Sequence, residues 1–346
     1  MEINLKTQGF YLVDVDVVAL NNAGKDTATN FENAVATKTI SKNGRIYSYV
    51  SGQAVRYWWR ETLKKDFRWN ISPVVHGKKK NVVYTSINPL KYDDDDVFGY
   101  MRAEKDNSGD ISATRVSPLQ NSALVSVSSV RPVKNQSSMA RKEDNPVLYT
   151  KQEYSAIMKG MFCMDLNMIG TFSDYNKAGF KNLSEKLKAE AKEKYSATEI
   201  DDKFVEGKKL IRLPYGIRVK RATNTITALK TIAGGAMQTT NMGDVTPKFI
   251  ILATTKTGNH PFSHVVISSG EWDEIAVFCG TALREVLNEY KDTFVGKVFI
   301  GRRAGFFDDY DEDLNAIQKE YEDLVEYGPV NTMIDAYCEQ LKEQLK

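Results

Sequence analysis

The stretch Val50-Ser51-Gly52-Gln53-Ala54-Val55-Arg56-Tyr57-Trp58-Trp59-Arg60 brings together the groups that hold a polyanion. It reads as a helix opening on Ser51, whose hydroxyl suits an N-cap. At about 100° per residue, Val55, Trp58, Trp59, Thr62 and Leu63 gather on one side, and Gln53, Arg56, Arg60 and Lys64 on the other. Free N–H groups at the helix start and a row of guanidinium groups along its flank would hold successive phosphates. The same pattern also describes an amphipathic core helix with a solvated basic face, the commoner case for a helix taken alone.

Other chemistry is thinly represented. The run Asp93–Asp96 lacks the spacing of a cation loop and is expected to be solvated or to cap a loop. Asp14 and Asp16 share a strand face and read as a solvent-facing row. Gly234-Gly235-Ala236 is not a Walker loop, since Gly-Lys-Ser/Thr is missing, but it lets another backbone come close. Ser117 and Ser137 have no neighbouring histidine, and the three histidines leave little room for a triad or a metal site. The expectation is therefore no catalytic residue, no metal and no cofactor.

Basic residues interleaved with large apolar ones are better represented. Lys38, Lys42, Arg45, Arg56 and Arg60 form one cluster, and Arg131, Lys134 and Arg141 around Met139 form another. Such cations bind phosphates without reading bases, and a methionine can wedge between bases. The net charge of +2 hides an asymmetry: from Phe306 to Lys346, twelve carboxylates face three lysines, a balance of −9 that leaves +11 for the first 305 residues. This suggests a basic working surface and an acidic end, and permits head-to-tail association of copies. Cys163, Cys279 and Cys338 are odd in number and far apart, which argues against disulfides and fits a reducing cytoplasm. With no signal-peptide pattern and no long apolar run, a cytoplasmic protein without membrane contact is expected.

Strands are expected at 9–20, 160–172, 248–255 and 295–301, and helices at 52–66, 223–232 and 272–290. Leu124–Val127 reads as a strand, residues 183–205 as an exposed charged helix or helix pair, and the end of the chain as two acidic helical segments. This mixture suits an α+β domain of split βαβ type carrying a large insertion, with a basic β-hairpin arm between Arg115 and Arg141.

The chain also resembles a known family. The Asn21-Asn22 turn, Val50-Ser51-Gly52-Gln53 with Arg56 and Arg60, Asp96-Val97-Phe98-Gly99-Tyr100-Met101, Gly160 to Gly170, and Gly234-Gly235-Ala236 leading to Asp244-Val245-Thr246-Pro247 are similar to the DevR-type CRISPR-associated family. That family includes the backbone subunit of the type I Cascade surveillance complex, with the type I-B branch most alike. The likeness runs from the first strand to about residue 256. It implies an RRM-like (ferredoxin-like) palm, a helical fingers insertion and a β-hairpin thumb. On this basis residues 1–66 begin the palm, 67–116 are the fingers-type insertion, 117–150 hold the thumb, and 151–346 complete the palm with a charged insertion at 183–205.

The resemblance implies a non-catalytic scaffold whose copies stack head-to-tail along the spacer of a CRISPR RNA (crRNA), beside other Cascade subunits. Guide bases would stay free for target DNA. It places Asn21, Asn22, Lys38, Lys42, Arg45, Ser51, Gln53, Arg56 and Arg60 in the RNA groove, and lays Gly234, Gly235, Ala236, Met237 and Gln238 along the RNA backbone. Arg131, Met139 and Arg141 would belong to the thumb, with Met139 as the wedge. The alternative is an endoribonuclease of the type III kind, cutting target RNA with a loop aspartate, Asp26, and a divalent metal. A stand-alone single-strand-binding or regulatory protein is the third reading.

Overall fold

The structure is a computed structural model that describes residues 4–25, 34–76, 83–106, 109–139, 147–177, 180–270 and 274–346. In chain order its principal elements begin with β1 (Lys6–Val18), β2 (Arg45–Val50), α1 (Gly52–Asp66), α2 (Asp93–Phe98) and β3 (Leu124–Ser126). Next come β4 (Val133–Met139), β5 (Val147–Asp165), α3 (Glu185–Tyr195) and α4 (Tyr215–Thr227). The chain closes with β6 (Phe249–Thr255), α5 (Gly280–Glu289), β7 (Val298–Arg302), α6 (Asp311–Glu320), β8 (Val325–Pro329) and α7 (Val330–Gln344).

Among the described residues the main sheet has 12 strands, with the path β8-β7-β6-β1-β5-β3-β2 ending at Thr39–Lys42. At its centre, β6, β1, β5 and β3 pair antiparallel in that order, Phe10 standing opposite both Met161 and Ile251. The helix α1 lies in sequence between β1 and β3, and α4 between β5 and β6. The protein is thus a mixed α+β fold, as the sequence pattern predicts.

Alternation along β1 explains how one strand serves two cores. Tyr11, Val13 and Val15 enter a cluster with Trp58, Trp59, Ile226 and Tyr337, so α1, α4 and α7 cover that face. Phe10 and Leu12 point the other way, to Phe262, Leu283, Leu287, Leu314 and Ile317, where α5 and α6 cover the sheet. A strand buried on both faces needs an uninterrupted apolar run, and all seven residues of β6 are buried. In β5, by contrast, Met158, Phe162 and Met164 are buried while Lys159, Met161 and Cys163 are only half-buried. The face of the sheet away from α1 therefore opens toward β3 and β2.

Several boundaries differ from the sequence reading. The strand expected at 160–172 is the end of the 19-residue β5, which stops at Asp165, where its carboxylate accepts from the Asn167 and Met168 amides and closes a turn. The helix expected at 223–232 starts earlier, at Tyr215, because Pro214 can precede a helix but not sit inside it. The helix expected at 272–290 is confined to Gly280–Glu289, with the β-branched and aromatic run Ala276–Phe278 forming a strand before it. In 183–205 only Glu185–Tyr195 is helical, and Thr198–Asp201 joins a three-stranded sheet. The segment 67–116 is not a helical insertion. It carries the short α2 and two hairpins, Val74–His76 with Val83–Thr85 and Tyr100–Asp106 with Gly109–Arg115. A hairpin is present but lies later than the expected 115–141, since β4 pairs antiparallel with the start of β5 from Val133–Glu153 to Met139–Val147, while Leu124–Ser126 joins the main sheet.

Candidate nucleic-acid interface

The helix α1 forms where the residue pattern places it. The Ser51 hydroxyl accepts from the Ala54 amide at 3.3 Å, and the Ser51 amide donates to Asn21 Oδ1 at 2.8 Å, so the turn after β1 fixes the helix start. Val55, Trp58, Trp59, Thr62 and Leu63 are its buried residues, the same five that the periodicity selects. Trp59 is fully enclosed, donates Nε1–H to the Thr225 carbonyl at 2.8 Å and meets Phe162 edge-on at 5.2 Å between ring centres.

The glycine loop after α4 is packed against this helix. A Cβ on Gly234 would lie 2.1 Å from Trp58 Cγ, so the close approach that this glycine permits is to an indole ring of the same chain. Gly235 has φ of +107°, and the Ala236 amide donates to the Leu20 carbonyl at 3.1 Å. Gln238 turns inward, donating to the Gly234 and Gly243 carbonyls. Met237 is half-buried in the left-handed region. The loop thus borders the Asn21 turn with its polar groups largely spent inside the protein. Gly234→Ala is expected to cost about 1–3 kcal/mol by forcing Trp58 to move, read as a lower denaturation midpoint. An unchanged midpoint would show that the indole yields freely.

Along the exposed flank of α1 runs an open groove of about 650 Å³, lined by Tyr49, Ser51, Gly52, Gln53, Arg56, Arg60, Phe98, Ser117, Leu119, Gln120, Asn121 and Ala123. The structure brings Ser51, Gln53, Arg56 and Arg60 to one wall, but the arginines are not free arms as the helix pattern suggests. Arg56 donates Nη1–H to Leu119 O at 2.7 Å and Asn121 Oδ1 at 3.1 Å, and Nη2–H to Phe98 O and Ser117 Oγ, both at 2.8 Å. It clamps α1 to the strand Leu119–Asn121 across the groove. Burial, then the charge of Arg60, pushes the Arg56 guanidinium down to about 10. Arg60 is the more available cation. Its guanidinium lies over the Phe98 ring at 4.6 Å, and its Nε stands 3.8 Å from Asp94 Oδ2, too far for a hydrogen bond.

The acidic run is not solvated; Asp94 and Asp95 do cap loops, while Asp96 serves a buried hub. Asp93–Asp96 form the first turn of α2, and Asp94, Asp95 and Asp96 are buried. Asp96 bridges Arg115 at 2.5 Å and Arg221 at 2.8 Å and accepts from the Gly170 amide at 2.8 Å. Burial lowers the Arg221 guanidinium, yet Asp96 and Asp93 outweigh it, and the net shift is upward. Asp95 accepts from the Asn88 amide at 2.8 Å, and Asp94 from the Ser72 amide at 2.8 Å. Four contiguous carboxylates thus serve different partners, because helical rotation sends each in its own direction.

Asp94 carries a pH signature. Burial pushes its carboxyl up to about 6, opposed by the Ser72 amide and reinforced by Asp95. A raised folded-state value means that its contribution to stability is fully present below about pH 4 and is lost as pH rises through 6. Asp94→Asn removes that titration. The stability gap between the variant and the wild type is expected to grow in the variant's favour by about 3 kcal/mol between pH 4 and pH 7.5. Urea denaturation at both values checks this, and a pH-independent gap would contradict it.

The remaining candidates scatter around the β2 end of the sheet. Asn21 accepts from the Lys38 amide with its carbonyl oxygen at 2.9 Å, and the Asn22 carboxamide accepts from the Gly24 amide. Lys38 is half-buried and Lys42 exposed, while Arg45 is ion-paired with Glu274. Arg131 is exposed before β4, next to Val130, whose amide donates to the Ile46 carbonyl of β2 at 2.8 Å. Met139 ends β4, and Arg141 and Asp26 lie outside the described residues. Asp14 and Asp16 are both exposed, as expected of a solvent-facing row. Tyr49, Ser117, Gln120 and Asn121 line the groove without having been assigned to it from the sequence, and Phe98 stands in a motif quoted only for the family likeness. Only the Tyr47–Tyr49 alternation in β2 offers a signal for any of them. Among the described residues no group of three or more His, Cys, Asp or Glu side chains is arranged to hold a metal ion. No helix there is long and apolar enough to cross a membrane.

Comparison with known proteins places this geometry. No curated protein matches the sequence. Among solved structures, a chain of a "CRISPR RNA-guided surveillance complex" superposes with a TM-score of 0.52 at 10% identity, covering 97% of this chain and 99% of the other. A chain of a "CRISPR RNA-guided surveillance complex, pre-nicking" gives 0.53 at 11% identity, covering 97% and 100%. At such identity the likeness is one of fold. The family model described as "CRISPR-associated negative auto-regulator DevR/Csa2" matches residues 12–272, from the second half of β1 through the groove along α1, the hairpin arm and the glycine loop, and the chain belongs to that CRISPR-associated family.

Proposed function

We propose that the protein is a non-catalytic, RNA-binding backbone subunit of a type I Cascade surveillance complex, of the type I-B kind. Its copies stack along the crRNA spacer and leave the guide bases free to pair with target DNA. The observation that carries this reading is the open groove at the N-terminus of α1, with Ser51, Gln53, Arg56 and Arg60 on one wall, in a chain of the DevR/Csa2 family. The antiparallel order β6-β1-β5-β3, with α1 and α4 as the two connecting helices, is the order an RRM-like palm requires and supports the reading. The hairpin of β4 with the start of β5 is the candidate thumb, and residues 67–116 the candidate fingers. The neighbours' titles, which name RNA-guided surveillance complexes, agree with this assignment.

Binding through sugar and phosphate makes affinity salt-dependent and nearly independent of RNA sequence. Purified protein is therefore expected to bind single-stranded RNAs of unrelated sequence alike at fixed salt. Its assemblies should lengthen with the RNA, as read by light scattering. A strong preference for one sequence, or a discrete small oligomer whatever the RNA length, would overturn the scaffold reading.

A further inference from the structure

The half-open face of the sheet at its β2 edge carries a feature that the groove alone does not use. Along β2, Ser48 and Val50 are buried toward α1, so Arg45, Tyr47 and Tyr49 share the opposite face. Cross-strand register extends that face: Tyr47 stands opposite Ile40 and Arg45 opposite Lys42 on one side, Tyr49 opposite Val125 on the other, and Val125 opposite Lys159. Both tyrosines are half-buried, and Tyr49 also lines the groove along α1. Among the described residues neither phenol is hydrogen-bonded to the protein, and neither ring packs against another aromatic ring.

Two cations flank the rings. Lys42 is exposed, and Lys159, held by the Ser263 carbonyl at 2.9 Å, has its ammonium pulled down by burial and then by the charge of Lys42. Like charges gathered on one face are relieved when an anion sits between them. Two rings two residues apart on one strand lie about 6.7 Å apart, a step that successive nucleotides of an extended strand can follow.

We propose that Tyr47 and Tyr49 form a stacking platform for unpaired bases of a single-stranded RNA, whose phosphates pass Lys42 and Lys159 before entering the groove along α1. The assignment rests on the RNA-binding reading above and deepens it. Stacking engages the π-face of a base and leaves its pairing edge exposed, so the platform orders a guide without reading or masking it.

The test compares a uridine oligomer with an abasic ribose-phosphate oligomer of equal length, by fluorescence anisotropy at fixed salt. The wild type is expected to prefer the uridine oligomer. The Tyr47→Ile/Tyr49→Ile variant keeps β-propensity and removes both rings. It should bind the uridine oligomer about 5- to 150-fold more weakly for each base that loses its ring, leave abasic binding unchanged and keep the salt slope of the wild type. Tyr49→Phe should bind as the wild type does. Thermal melts establish that each variant is folded.

If folded wild type binds RNA but the double variant binds it equally well, the platform is wrong and the RNA-binding reading stands. Altered self-association without RNA, at unchanged RNA affinity, would assign the rings to contact with a second copy and also overturn it. If folded wild type binds neither oligomer, both readings fall.

Discussion

Asp96→Ala is expected to destabilise the protein by about 3–5 kcal/mol, because it strips a buried carboxylate from two buried guanidinium groups at once. Asp96 and Arg115 have fully buried side chains, and that of Arg221 is 2% exposed. Arg115 retains the Asp96, Thr171 and Met168 carbonyls as acceptors, and Arg221 retains Asp93, but neither would keep full charge compensation. The Gly170 amide loses its acceptor as well. Against a typical stability of about 5–15 kcal/mol, a loss of this size leaves a substantial unfolded fraction on warming. Chemical denaturation measures it as a shift in midpoint at constant slope. A loss under about 1 kcal/mol would mean that water enters and solvates the arginines, contrary to a buried hub.

The second large effect separates a cation built into the groove wall from cations at the β2 end of the sheet. Arg56→Glu would aim a carboxylate at the oxygens of Leu119, Asn121, Phe98 and Ser117, the four acceptors that the guanidinium now satisfies. A loss of about 3 kcal/mol or more is expected, visible in denaturation without any RNA. Lys38→Glu/Lys42→Glu should behave oppositely. The exposed Lys42 and half-buried Lys38 contribute little to the core, so stability should stay within about 0.5 kcal/mol per site. RNA affinity should fall roughly tenfold or more, and the salt slope should drop by about 1.4 for two lost phosphate contacts. Equal stability losses in both variants would erase the distinction. An unchanged salt slope in the lysine variant would place the phosphates elsewhere.

The contrast shows what residue spacing could and could not reveal. The buried face of α1 was legible to the residue, because a 3.6-residue period and two tryptophans leave one orientation that hides them. The α+β class, β1 and β6 were legible for the same reason, their apolar runs matching strands packed in a sheet. The opposite flank of α1 was not. Spacing gives direction from the helix axis but not what waits there, and for Arg56 a wall of carbonyls contributed by residues 98–121 waits there. Asp96 was misread by the same limit, since its partners Arg115 and Arg221 are brought near only by the tertiary fold. Gly234 was read as a place where another backbone comes close, whereas what approaches it is the indole ring of Trp58, on another element. The hairpins within 67–116 escaped because strands of three to seven residues leave little periodic signal.

The order of the sheet gives the uneven charge a direction. Lys42 and Arg45 lie at the β2 edge, while the strongly acidic segment from Asp308 to Glu326 surrounds β8 at the other. The path between those edges crosses several strands at about 4.8 Å each, so opposite charges are held tens of ångströms apart by a rigid β-scaffold. Such a separation exerts a torque in the field of a polyanion. In the proposed RNA-binding role, a copy drifting toward RNA would turn its β2 edge inward before any contact forms, which would raise the fraction of productive encounters. The orientation is set by diffusion in that field, and it weakens as salt shortens the reach of the field.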